Sequence, residues 1–202
     1  MMRVKLAFFS FGLLLLTAGI SLIVKGNLGA APWDALAIGE SQLFHLSIGM
    51  CIFINGCLLI IVNSILLSER IDFFAALSIF LIGMLVNFWI SYGFINISPS
   101  GLLEQFSFTM IGIIMLGVGI SIYLQARLPS SPMDTFMVAL HKRFGLNLNN
   151  ARLLTEAIAV TLAVIFQGAV GVGTFLVACT LGFVIHFFYP IMEKIYDRWT
   201  FN

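Results

Sequence analysis

Charge is what this sequence has least of. Asp, Glu, Lys and Arg together make up 9% of its 202 residues, against about 25% in an ordinary soluble domain. So few charges cannot clothe a water-facing surface, which argues against a soluble globular protein. Those present nearly cancel, ten Lys and Arg against nine Asp and Glu, so no basic field exists to draw nucleic acid. Cysteine is sparse too. Cys51, Cys57 and Cys179 are odd in number, lie inside apolar runs and match no Cys-x-x-Cys spacing, which leaves them as small apolar residues. His45 and His141 have neither a His-x-x-x-His partner nor a carboxylate at ligand spacing, so no metal site is expected. Zinc signatures, a Gly-x-Ser-x-Gly elbow and a phosphate loop are all missing, so the expectation is a protein that is not an enzyme and carries no cofactor.

Apolar residues take the space that charge leaves, 60% of the chain against about 45–50% ordinarily. They gather into six runs, at 6–24, 48–67, 73–95, 106–124, 151–167 and 173–194. Each is near the ~20 residues that carry a helix across a ~30 Å hydrocarbon core. A single strand-free span satisfies its own backbone in lipid only as a helix. The fold expected is therefore an all-α integral membrane protein, with the lipid bilayer as its surroundings. The first run reads as a retained span rather than a cleaved signal, because it has a counterpart later in the chain. Arg152 and Glu156, four apart at the start of the fifth, can pair on one helix face.

That counterpart belongs to a repeat. Residues 28–34 read Leu-Gly-Ala-Ala-Pro-Trp-Asp, and residues 128–134 read Leu-Pro-Ser-Ser-Pro-Met-Asp. Gly19-Ile20-Ser21 returns as Gly119-Ile120-Ser121, and the run Ile82 to Phe88 is echoed by Leu181 to Phe187. The chain thus divides into repeats at 1–98 and 101–202. Each has three spans and, after its first span, a short helix headed by Pro-x-Asp, at 32–44 and 132–144. Three crossings are odd, so the second copy must be upside down: a 3+3 inverted repeat. With both termini in the cytoplasm, Lys25 is the one basic residue of the ten placed outside, as the positive-inside bias requires.

The duplicated phrases hold the candidate site. Pro32 and Pro132 suit the first helical position, and Asp34 and Asp134 then meet free N–H groups in the first turn. Ser131 is a natural cap and, with Asp134, resembles a capping box, whereas Ala31 has no hydroxyl to offer. Trp33 and Met133 fill the variable place of the two phrases. Helix-start chemistry alone accounts for both aspartates. The functional alternative is that the thirteen-residue helices dip into the membrane and present their carboxylates to a small solute or cation. Asn87 and His186 occupy one polar slot of the repeat and are candidates for the same pathway.

The two phrases, the length and the six spans resemble the YczE/YyaS/YitT family of bacterial integral membrane proteins, most nearly its YczE-like members. The resemblance covers essentially the whole chain. It implies a bacterial cytoplasmic membrane protein, with transport as the usual suggestion and no established site residues to carry over. A small permease-like transporter is the first reading. A non-transporting scaffold or regulator acting through a partner is the second, and a homo-oligomer is compatible with either. Reporter fusions test the topology: the N-terminus, the C-terminus and residues 125–150 are expected in the cytoplasm, and residues 25–47 outside. Finding both Pro-x-Asp phrases on one side would overturn the inversion.

Overall fold

In a computed structural model, residues 2–126 and 131–201 are described. Arg127, counted above among the cytoplasmic charges, and Leu128-Pro129-Ser130 of the second phrase lie outside the described residues. The helices are α1 (Met2–Gly26), α2 (Pro32–Phe44), α3 (Ile48–Leu67), α4 (Phe73–Phe88), α5 (Leu102–Gln125), α6 (Pro132–Phe144), α7 (Leu148–Ile165) and α8 (Val172–Phe201). Among the described residues there is no strand. Six segments are long and apolar enough to cross a membrane: α1, α3, α4 with the turn that follows it, α5, α7 and α8.

The bounds of α2, α3 and α6 are those expected from sequence, while other ends shift for local reasons. The α5 helix starts at Leu102, where the Glu104 carboxylate accepts the Ser100 N–H at 2.8 Å. Asn147 caps α7, accepting the Asn150 N–H at 2.7 Å, and Arg152 pairs with Glu156 at 3.0 Å one turn in. The third span ends in a π turn, Trp89–Gly93. There the Trp89 ring lies over Gly93, stacks on Phe94 at 5.2 Å, and the Phe94 N–H reaches the Trp89 carbonyl at 2.7 Å. The last helix continues to Phe201, past its expected end at 194, and contains Pro190.

The turn from α2 to α3 is written again between α6 and α7. His45 (φ 55) and Gly145 (φ 66) both take the left-handed conformation that reverses the chain. Four residues earlier, Ser41 Oγ donates to the Leu46 carbonyl at 2.6 Å, and His141 Nδ1 meets the Leu146 carbonyl at 2.5 Å. A carbonyl only accepts, so His141 carries its proton on Nδ1. Ser47 then caps α3 through the Met50 N–H, as Asn147 caps α7. Each of these positions recurs one hundred residues on.

The helices form two compact units. The first comprises α1, the π turn, α5 and α8; the second comprises α2, α3, α6, α7 and α4 up to Asn87. Each unit draws on both sequence repeats, so packing and duplication partition the chain differently. In the first unit α1 is buried through more than two turns, from Leu16 to Ile23. It runs antiparallel to α5: Gly12 lies against Tyr123 and Gly112 against Ile23, while Gly19 lies against Leu116 and Gly119 against Leu16. At each of the four glycines a Cβ would run into the other helix's backbone or first side-chain atoms. Small residues allow this approach, which supplies the dispersion contact that lipid cannot drive by exclusion. Beside this pair, α8 lies parallel to α5, with Gly117 against Val184 and Gln125 Nε2 donating to the Tyr189 carbonyl at 3.4 Å.

Overpacking tests the seam. Gly19→Ala and Gly119→Ala are each expected to destabilise the protein by about 1–3 kcal/mol. Gly182→Ala, where a Cβ meets nothing within 4 Å, should change stability by no more than about 0.5 kcal/mol. Unfolding in mixed detergent micelles reads both, and equal losses at all three positions would show that close approach does not hold the pair.

Candidate functional site

The second unit brings the two Pro-x-Asp phrases together. The Trp33 ring meets Phe136 edge-on, with centroids 6.3 Å apart. Both belong to a cluster built on Leu59, Leu140 and Ala151, against which Met133 also packs. Pro132 is fully buried, and its carbonyl accepts a hydrogen bond from Asn63 Nδ2 of α3 at 2.9 Å. Ser131 does cap α6: its hydroxyl accepts the Met133 N–H at 3.4 Å and its carbonyl the Thr135 N–H at 3.0 Å.

The two short helices differ in how they are enclosed. In α2, Pro32 and the five successive residues Ala35 to Gly39 are buried. Five in a row exceed one turn of about 3.6 residues, so no face of that turn is open. The backbone at Gly39 lies against Phe166 and Gly168, and Gly168 in turn against Ala35, so α2 abuts the end of α7. In α6 the buried residues are Pro132, Phe136, Ala139 and Leu140, a single stripe of helical spacing.

The sequence-expected site residues follow that difference. Asp34 is partly buried, and burial pushes its carboxyl up to about 7. Asp134 is exposed. Asn87 serves the head of α3, its Oδ1 accepting the Gly49 N–H at 2.9 Å and its Nδ2 donating to Ser47 Oγ at 2.9 Å. His186 is exposed on α8 and belongs to the other compact unit. Among the described residues no group of three His, Cys, Asp or Glu stands ready to hold a metal ion.

One carboxylate escaped the sequence reading. Glu40, on α2, accepts a bond from Asn55 Nδ2 at 2.6 Å, and burial raises its carboxyl while the Asn55 bond opposes the rise. Its repeat counterpart is Leu140, so the duplication pointed away from it. A second carboxylate on the short helix that already carries Asp34 was the available signal.

A raised carboxyl is a stability statement. Asp34 binds its proton more tightly in the folded chain than at its ordinary value of 3.8, so its contribution is most favourable at low pH. That contribution is lost as pH rises towards about 7 and is constant above. Asp34→Asn removes the loss. The stability of the variant relative to wild type should therefore grow between pH 4 and 7 and then level off, and a flat difference in melting temperature over pH 4–8 would contradict the burial.

The chain matches the model of a family of unknown function, DUF6198, over residues 3–190. It is 31% identical over 190 residues to "Uncharacterized protein YyaS" of Bacillus subtilis, covering 94% of each chain. A Haemophilus influenzae protein called "Uncharacterized protein" is 31% identical over 92% of this chain and 83% of its own. "Uncharacterized membrane protein YczE" of Bacillus subtilis is 29% identical over 91% of this chain and 84% of its own. No solved structure matches. With the family model spanning nearly all of the helical chain, this membrane protein belongs to the DUF6198 family, the YczE and YyaS group to which the paired Pro-x-Asp phrases pointed.

Proposed function

We propose that the protein is a small permease of the bacterial cytoplasmic membrane, binding a small solute where the heads of α2 and α6 meet. The observation that carries this reading is the enclosure of α2. Thirteen residues make only ~20 Å of helix, too little to span, and a helix resting in the interface keeps a polar face wet. The α2 helix instead is buried around a full turn and holds the ionisable Asp34 partly out of water. Short helices and irregular backbone buried among spans are where transporters built from repeats place their binding sites.

The inverted-repeat reading has support in the α1–α5 seam. Gly12 against Tyr123 mirrors Gly112 against Ile23, and Gly19 against Leu116 mirrors Gly119 against Leu16. Reciprocal contact between antiparallel copies is the signature of a two-fold axis across both helices. Under such an axis the halves can open the site first to one side and then to the other. The basic residues and the bacterial relatives favour a cytoplasmic membrane with both termini inside.

Cysteine at position 34, in a background lacking Cys51, Cys57 and Cys179, tests the reading with a membrane-impermeant thiol reagent. Protection is expected, or labelling whose side changes with a solute or ion gradient. Fast labelling from the outside under every condition would place Asp34 at an ordinary wet helix start and end the permease reading.

A further inference from the structure

The turn from α6 to α7 repeats the turn from α2 to α3 in backbone but not in charge. Residues 135–155 hold three basic side chains, Lys142, Arg143 and Arg152, and no Asp or Glu. Residues 35–55, one hundred positions earlier, hold one acidic side chain, Glu40, and no Lys or Arg. Where α6 carries His141-Lys142-Arg143 in its last turn, α2 carries Ser41-Gln42-Leu43. A helix C-terminus favours basic residues through its dipole, yet α2 ends in the same left-handed reversal without one. The turn itself therefore needs no cation.

Two of these groups are already engaged, His141 by the Leu146 carbonyl and Arg152 by Glu156. Lys142 and Arg143 are exposed, and among the described residues neither side chain has an ion pair or a hydrogen bond. The residue after them is apolar and open in both copies: Phe144 is 62% exposed and Phe44 56%. Leu148, at the start of α7, is exposed as well. Free basic side chains beside exposed Phe and Leu make a surface suited to the boundary between headgroups and acyl chains, and Lys and Arg at that depth attract anionic lipid. Lys142 and Arg143 are consecutive, ~1.5 Å apart along the axis, so both heads reach one layer. Consecutive residues also point ~100° apart, which suits a headgroup lying across the helix end better than a free anion gripped on one face.

We propose that the end of α6 binds an anionic phospholipid, with Lys142 and Arg143 meeting its phosphate while Phe144 and Leu148 lie along its acyl chains. The inference is independent of the permease reading. Only the leaflet, the cytoplasmic one, comes from the orientation given there.

Full-length protein in neutral detergent, titrated with dioleoylphosphatidylglycerol or dioleoylphosphatidylcholine and read by native mass spectrometry, is the test. The first phosphatidylglycerol is expected to bind at least about tenfold more tightly than phosphatidylcholine. The double variant Lys142→Gln/Arg143→Gln should lose at least about tenfold of that affinity. Lys142→Arg/Arg143→Lys, which keeps both charges, should stay within about twofold of wild type. Lys194→Gln/Arg198→Gln, a basic pair at the end of α8, should also stay within about twofold. If the neutral double variant does not insert, Lys142→Gln and Arg143→Gln carry the test singly, each with about a threefold or greater loss. The proposal is overturned if the two lipids bind alike, or if the neutral variants bind like wild type, which would leave the pair to topology alone. Equal losses from the α8 pair overturn it too, by making the attraction a diffuse one. Glycerol 3-phosphate, a soluble form of the headgroup, is expected not to displace the lipid at equal concentration; displacement would give the site to a free anion instead.

Discussion

Inside a bilayer, two apolar helices gain nothing by hiding from their surroundings, because lipid tails are as apolar as they are. What holds them is contact between backbones, and contact of that kind needs side chains to be absent. The seam between α1 and α5 meets the requirement with Gly12, Gly19, Gly112 and Gly119. The polar residues along it are satisfied within their own helices: Thr17 donates to the Leu13 carbonyl and Ser21 to the Thr17 carbonyl, both at 2.8 Å, and Ser121 to the Gly117 carbonyl at 2.8 Å. The rest of the first unit attaches to this pair. The α8 helix runs along α5, and Trp89 Nε1 ties the π turn to Thr17 Oγ1 of α1 at 3.2 Å.

The second unit applies the same rule to a different end. Ala35, Ala37 and Gly39 let α2 sink among its neighbours, and the partial burial of Asp34 follows from that depth. The α6 helix carries larger residues on one face and His141, Lys142 and Arg143 in its last turn, so it buries a stripe and leaves Asp134 exposed. Two copies of one short helix have taken on different environments. Glu40 facing Asn55 where the other copy has Leu140 extends the divergence.

Hydropathy and the Pro-x-Asp signal made the helices legible in the sequence: α2, α3 and α6 begin and end where periodicity, proline and the polar breaks put them. The π turn after α4 was not legible, because it depends on where the Trp89 ring comes to rest. The matching bonds of Ser41 and His141 were missed since serine and histidine share no obvious chemistry until both are seen donating to the same carbonyl position. For the site, the inequality of Asp34 and Asp134 was not legible, because the two phrases place both aspartates alike. It arises from packing volume at Ala35 to Gly39, which repeat logic alone treats as equal. The partner of Asn63, the Pro132 carbonyl, is known only from the structure, and with it the spare amide oxygen.

The length of α8 has a consequence for how the chain leaves the bilayer. Thirty residues at ~1.5 Å each reach ~45 Å, about 15 Å more than the hydrocarbon core is thick. Pro190 stands eighteen steps from Val172, roughly 27 Å along, where a helix entering at one hydrocarbon edge would be arriving at the other. A proline there withholds the N–H that the carbonyl four residues earlier, that of His186, would otherwise receive. In the middle of a membrane that orphaned oxygen would be a liability. At the headgroup boundary water can hydrate it, and the helix beyond, carrying Glu193, Lys194, Asp197 and Arg198, is already a water-going rod. The proline thus marks a waterline, the depth at which a break in the ladder of hydrogen bonds stops being expensive.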